Sequence, residues 1–206
     1  NLNEPFTLIE EMGADGTESA DKKQELLNRI GITDFMAADA SSNLLYAMDA
    51  EFGDEKTLEL LDKIHPRVVQ YARYLSNPVR QVGMGEVDIS IAVESETLRY
   101  IHDGYPLQII YPADGTTAWI TGTGILAGSG DRERGLAQNF ADWLLSDEAQ
   151  LALQSHNYFF VPTNPGTMAY QSFPGKNLTL FTQNPQFSAQ QKHDLLDTWA
   201  REIRFK

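Results

Sequence analysis

Three short polar clusters hold the residue types that bind or transform small molecules: Asp39–Asn43, Glu94–Glu96 and Tyr111–Thr117. In the first, Ser41, Ser42 and Asn43 stand between a strand-like run, Ile30–Phe35, and a helical stripe opening at Leu44, Leu45 and Met48. A helix entered from a strand through a short polar loop begins with backbone N–H groups that have no partner. Such an end favours anions, by about 0.3–1 kcal/mol per charge where it is exposed. Simple capping by Ser41 or Ser42 accounts for the same pattern. In the second cluster, Ser95 lies between two carboxylates. Glu94 can accept hydrogen bonds from sugar hydroxyls, while Glu96 reads as a solvated strand end. Paired carboxylates also hydrolyse glycosides, but nothing in the sequence fixes a separation between these two. In the third, Tyr111, Asp114 and Thr116 lie in or beside Pro112-Ala113-Asp114-Gly115-Thr116-Thr117. Ligand contact and plain turn chemistry, with Gly115 supplying a positive φ, explain this stretch equally well.

Other reactive types do not assemble into a known pattern. His65, His102, His156 and His193 lack metal-ligand spacing, so no metal site is expected. No phosphate-binding glycine loop, nucleophile elbow or zinc motif is present. Trp119 reads as a core residue before a stacking platform. Asn177-Leu178-Thr179 fits a glycosylation sequon and is taken as incidental.

The elements that must position the clusters follow from periodicity and punctuation. Residues 1–29 read as a loop-rich N-terminal segment, with a short helix over Asp21–Asn28. Beyond the strand Ile30–Phe35, the helix from Leu44 stops near Gly53, a good residue to follow a helix end. Asp54 caps a second helix through Leu58, Leu61 and Ile64. After Pro66, the positions Val68, Val69, Ala72 and Leu75 continue a helical stripe. Ser76-Asn77-Pro78 starts another helix, closing at Gly83–Glu86. Val87–Val93 and Leu107–Tyr111 read as strands, with a short helix Thr97–His102 between them. Ala118–Leu126 is strand-like. Arg132–Leu145 is the clearest helix, with Leu136, Phe140, Trp143 and Leu144 on one face. Ser146 caps the next, which carries Leu151 and Leu153. Tyr158–Val161 reads as a short buried strand or turn and Tyr170–Gln186 as loop. Ser188–Arg204 closes as an amphipathic helix.

Strands alternating with helices predict an α/β protein with a largely parallel sheet of at least four strands. Ile30–Phe35, Val87–Val93 and Leu107–Tyr111 are expected in one sheet. Ligands of such sheets sit at the carboxyl ends of the strands. All three polar clusters fall at predicted strand ends, and that agreement is the sequence's own argument for a small-molecule site.

A chain of 206 residues buries a real core, as one large or two small domains. Its formal net charge of −13, with no Lys/Arg cluster to offset it, argues against nucleic acid as a partner. The absence of cysteine rules out disulfides and thiol chemistry. No apolar run reaches the length of a membrane span. No secretory leader is recognised, as expected of a processed or trimmed chain.

Longer stretches carry a resemblance. Val82-Gly83-Met84-Gly85-Glu86-Val87-Asp88-Ile89-Ser90-Ile91 is similar to the G-E-x-D-I segment of bacterial extracellular solute-binding proteins. These serve ABC importers of the ferric-ion, sugar-phosphate and phosphonate type. Tyr111-Pro112-Ala113-Asp114-Gly115-Thr116, followed by Thr121-Gly122-Thr123-Gly124-Ile125-Leu126, fits the same group. So does Ala137–Gln150, which ends in the family's S-x-E-A-Q run at Ser146-Asp147-Glu148-Ala149-Gln150. The resemblance runs from about Ile30 to Gly166.

It implies a type II periplasmic-binding-protein-like fold, three-layer α/β/α, comprising mostly the second lobe plus part of the first. On that pattern 30–112 and 170–206 form the second-lobe domain and 113–169 a first-lobe segment. The implied function is non-catalytic, periplasmic binding of a small anionic or polyhydroxylated solute for ABC import. The implied partners are that solute and a transporter permease, with no cofactor. The alternative is an extracytoplasmic ligand-sensing domain that reports to a membrane sensor protein of a two-component system. Ser41, Ser42, Asn43, Glu94, Ser95, Tyr111, Asp114 and Thr116 are the candidate ligand-binding residues. Two departures from the pattern stand out. Ferric binders carry adjacent tyrosines where this chain has Glu94-Ser95-Glu96, so a phenolate-ligated iron site is not expected. Residues 1–29 are also too few to build most of a first lobe, so the chain is expected to be either a fragment or a module cut down for another use.

Overall fold

The computed structural model describes residues 29–173, 178–181 and 186–206. The expected N-terminal loop segment and its helix over Asp21–Asn28, apart from Arg29, lie outside the described residues, as does Asn177 of the sequon.

The described residues form two compact units, one running through Ala118 and resuming at Leu178–Lys206, the other spanning Trp119–Asn177. The first is built on a parallel sheet of β1 (Ile30–Thr33), β2 (Val68–Ala72) and β3 (Ile89–Ile91), in the order β2-β1-β3. Register pairs Ile30 with Val68 on one side of β1 and with Ile89 on the other. Helices α1 (Asp39–Phe52) and α2 (Asp54–Ile64) connect β1 to β2, and α3 (Asn77–Gly83) connects β2 to β3. Helix α4 (Glu94–His102) follows β3, and α8 (Ala189–Trp199) closes the unit with a π turn, Ala200–Arg204.

Alternation along β1 sends successive side chains to opposite faces. On one face, Ile32 and Phe35 pack with Leu45 of α1, Leu61 of α2, and Leu195, Trp199, Ala200 and Ile203 of the closing helix. The Phe35 and Trp199 rings lie 4.8 Å apart, tilted at 57°. On the other face Gly31 looks toward Val87 and Gln81, where an added Cβ would lie 3.2 Å from the Val87 side chain. Val79 of α3 and Val87 are buried on that side. Helices on both faces of a parallel sheet make this unit the α/β/α layering expected from the sequence.

The sheet departs from expectation in two strands. Val68–Ala72, expected to be helical, is strand β2. Pro66 ends the helical run, and Val-Val-Gln-Tyr-Ala is β-branched and aromatic enough to pair with β1. Leu107–Tyr111, expected to be a strand in this sheet, has no ladder. Pro106 and Pro112 flank it and supply no N–H, and Leu107 N–H already donates to the Tyr105 carbonyl at 2.9 Å. The described residues therefore hold three parallel strands, where at least four were expected.

The second unit contains α5 (Asp131–Leu144), α6 (Asp147–Ser155) and α7 (Met168–Ser172). Ser146 caps α6 as expected, its Oγ accepting from Ala149 N–H at 3.3 Å. The short helix α7 runs into the start of the expected loop, Tyr170–Gln186, and the Asp147 carboxylate accepts from Met168 and Ala169 N–H, both at 3.1 Å. Ala118–Leu126 and Tyr158–Val161, expected as strands or as a strand or turn, form no ladder. Tyr158, Phe160 and Val161 are exposed, so the second stretch is not buried either.

Candidate functional site

Strands β1 and β3 are parallel neighbours, so their carboxyl ends lie on the same edge of the sheet. The chain leaves β1 toward β2 on one side and returns to pair β3 on the other, so strand order reverses between β1 and β3. Helix α1 belongs to the Ile32–Trp199 face, while α4 packs against α3 on the opposite face. In open α/β sheets ligands bind outside the carboxyl ends of the strands at such a switch point, and here the N-termini of the helices that follow β1 and β3 flank it.

Helix α1 begins at Asp39, with Ala38 in extended backbone as its N-cap. Ser41, Ser42 and Asn43 are therefore inside the first turns, and the alternative reading of Ser41 or Ser42 as a simple cap fails as well. Ser41 and Ser42 N–H both donate to the Ala38 carbonyl, at 3.1 and 3.0 Å. They are not the free amides expected for an anion. The first amides of the helix, those of Asp39 and Ala40, precede any intrahelical partner. The hydroxyls turn back onto the backbone. Ser41 Oγ lies 2.8 and 2.7 Å from the Asp34 and Ala38 carbonyls, which share its one proton, and Ser42 Oγ donates to the Asp39 carbonyl at 3.1 Å. The helix starts early because Asp34 ends the strand in a tight turn, its Oδ1 accepting from Met36 N–H at 2.9 Å.

Helix α4 also starts earlier than expected, at Glu94, with Val93 as an extended N-cap. Glu94, Ser95 and Glu96 thus form its first turn. Glu96 pairs with Arg99 at 2.6 Å one turn on. Glu94 is half-buried and accepts a short hydrogen bond from the Tyr111 hydroxyl. Burial raises the Glu94 pKa above the usual carboxylate range, and the tyrosine bond partly offsets that rise. The Tyr111 phenol is pushed up by burial first, then by its bond to the Glu94 carboxylate and by that group's charge. Tyr111 is therefore a neutral donor at ordinary pH.

The third cluster links the other two. Asn43 Nδ2 donates to Thr117 Oγ1 at 3.0 Å and to the Ala118 carbonyl at 3.4 Å. The stretch 111–118 is thus tied to the first turn of α4 at one end and to α1 at the other. Its middle is pinned by Thr116, whose N–H donates to the Thr179 carbonyl at 3.0 Å and whose carbonyl accepts from Phe181 N–H at 2.8 Å. Gly115 has φ 124°, and the Phe181 ring occupies the space its Cβ would need. Asp114 is exposed at the turn beside it.

The structure therefore brings Glu94 together with Tyr111, and Asn43 together with the strap that carries Thr116. It turns the Ser41 and Ser42 hydroxyls inward. Thr117 and Ala118 were not singled out in the sequence. Thr117 closed the expected turn, but its partner 74 residues away had no local signature. Among the described residues, no group of His, Cys, Asp and Glu is arranged to hold a metal ion.

The family model for bacterial extracellular solute-binding proteins matches residues 8–188. An uncharacterized protein of Haemophilus influenzae is 28% identical over 185 residues, covering 87% of this chain and 52% of that protein. The fold is similar to the periplasmic binding protein AfuA of Actinobacillus pleuropneumoniae with exogenous fructose 6-phosphate bound. That likeness has a TM-score of 0.65 at 20% identity, over 96% of this chain and 64% of the other. It is also similar to the periplasmic binding protein P5PA, with a TM-score of 0.58 at 23% identity, over 95% of this chain and 63% of the other. At such identities the likeness speaks to fold. The chain spans about half the length of the curated relative, at 52%.

Proposed function

The chain belongs to the bacterial extracellular solute-binding protein family, and from that premise we propose that it binds a small polyhydroxylated or anionic solute, without catalysis, for periplasmic delivery to an ABC importer. Sugar phosphates head the candidate class, with phosphonates and organic acids behind them. The observation that carries this reading is the 111–118 strap. It crosses the switch point between β1 and β3 and is hydrogen-bonded to both flanking helices. Solute hydroxyls would meet the Glu94–Tyr111 pair and the exposed Asp114. An anionic group would meet the Asp39 and Ala40 amides at the start of α1, rather than those of Ser41 and Ser42. Ser95 and Thr116 border the same strap and first turn. The unit containing the sheet would be the second lobe of the family fold, and the helices of Trp119–Asn177 a segment of the first. The fructose 6-phosphate bound to AfuA makes that compound the first to test.

Thermal unfolding with fructose 6-phosphate, a phosphonate, a dicarboxylate and a free hexose tests the proposal. A true solute at about 100 times its dissociation constant adds about 2.7 kcal/mol to stability. Stabilisation by one class that is lost in Glu94→Gln supports the reading. No stabilisation by any of them, or stabilisation that Glu94→Gln leaves intact, overturns the site.

A further inference from the structure

Every polar atom of Asp34 is engaged. Its N–H donates to the Ala72 carbonyl at 2.9 Å, joining the ends of β1 and β2. Its carbonyl accepts from Ala37 N–H at 3.0 Å and from Ser41 Oγ at 2.8 Å. Oδ1 accepts from Met36 N–H at 2.9 Å, and Oδ2 accepts from Arg204 Nε at 3.0 Å. The loop from Phe35 to Ala38, and with it the first turn of α1, hangs on this one residue. The arginine that holds the carboxylate comes from 170 positions away, in the last turn of the chain.

Arg204 is itself seated. Its guanidinium lies 4.5 Å from the centre of the Tyr71 ring and 5.0 Å from that of Phe205. Tyr71 bonds His65 Nδ1 through its hydroxyl at 2.9 Å and meets the Trp199 ring edge-on at 5.5 Å. The two side chains of the ion pair are 28% and 18% exposed, and Arg204 is the least exposed cation among the ion pairs of the described residues, the next being Lys56 at 38%. A shielded, charge-assisted pair with a planar, stacked cation holds geometry in a way that an exposed pair does not. The π turn Ala200–Arg204 carries the arginine, while Ile203 beside it stays in the core at 2% exposure. Turns of this kind are frequent at functional sites.

We propose that Arg204 is a positioning residue for the solute site: through the Asp34 carboxylate it fixes the loop that aims the first turn of α1 at the switch-point crevice. The proposal rests on the reading of that crevice as the site. Native-state hydrogen exchange on the 206-residue chain tests the clamp without any ligand. Arg204→Met keeps the stem over Tyr71 and loses the fork, and Asp34→Asn cuts the pair from the other side. In each variant the amides of Met36, Ala37 and Ser41 should exchange about tenfold faster, while those of Ile32 and Tyr71 stay within about twofold of wild type. The double variant should add no more than about twofold to either single one. Unchanged loop amides overturn the proposal. So does acceleration of β1 and β2 in step with the loop, since that is a general contribution to stability. Fructose 6-phosphate titration supplies the second arm. Where wild type binds it, Arg204→Met should raise Kd about tenfold, and an unchanged Kd overturns the positioning role. If wild type does not bind it, the sugar-phosphate assignment fails and the exchange result alone decides the clamp.

Discussion

Asp49 shows how one buried carboxylate sets a pH dependence. It sits in α1 at 8% exposure, with Oδ1 lacking a hydrogen-bond partner in the structure. Burial, then the hydrogen bond and charge of Asp54 across the α1–α2 joint, push the Asp49 pKa up to about 7. The folded state therefore holds a proton that the unfolded state releases in the ordinary carboxylate range. The stability that comes from protonated Asp49 is present in acid and lost as pH rises toward 7. Asp49→Asn should flatten that decline and add about 1–3 kcal/mol at pH 8, measured by urea unfolding across pH. Tyr111 has the opposite lesson. Tyr111→Phe strips Glu94 of its donor, so the half-buried carboxylate must ionise unaided. The expected loss is about 1 kcal/mol at pH 7 and smaller at pH 4, where Glu94 is protonated. Equal losses at both pH values would show that the hydroxyl bond does not stabilise the charged form.

At the scale of elements, the strap over the switch point depends on its turn. Gly115 takes φ 124°, and a Cβ there would stand 2.7 Å from the Phe181 ring, which itself packs edge-on against Phe52 at 5.4 Å. Gly115→Ala should cost about 1–3 kcal/mol and release the pairing of Thr116 with 179–181, visible as faster exchange at Thr116 and Phe181 amides. A melting temperature and exchange pattern like wild type would mean that the turn relaxes freely. Helix ends follow simple rules where side chains decide them. Ser188 and Gln191 form a capping box at α8, as the sequence Ser-x-x-Gln invites. The serines of α1 do not cap, because Asp34 and the extended Ala38 had already begun the helix.

At the scale of the molecule, the unit Trp119–Asn177 is short of core. Among its described residues only Ala149, Pro162 and Thr167 are buried. The apolar stripe of α5 is open: Leu136 is 61% exposed, Phe140 55% and Trp143 39%. An amphipathic helix of this kind gains its stability by covering that stripe. The 206-residue chain should therefore bind a hydrophobic dye. Phe140→Ser should reduce that binding while changing unfolding free energy by no more than about 0.5 kcal/mol, as for an exposed position. Unaltered dye binding would place the exposed apolar surface elsewhere.

Much of this protein was legible from local chemistry. Helix α2, the start of α3, the helix pair α5–α6 and the capped α8 follow from apolar periodicity, Pro66, Ser146 and Ser188, because these signals act within a turn or two. The parallel α/β class was also legible, since it follows from the order of elements, but only two of the three polar clusters follow a strand, those after β1 and β3. Pairing partners were not. Val68–Ala72 fits a helical stripe and a strand equally, and only the free edge of β1 selects the strand. Leu107–Tyr111 has strand composition, but its flanking prolines supply no N–H and it joins no ladder. The bonds Asn43–Thr117, Glu94–Tyr111 and Asp34–Arg204 join residues 74, 17 and 170 positions apart. No local rule links such pairs, because packing of the whole unit decides which polar groups meet once water is excluded. The polar residue types are set along the chain, whereas the meeting of Glu94 with Tyr111 and of Asn43 with Thr117 was decided by the fold, which brings the ends of β1 and β3 to one edge of the sheet.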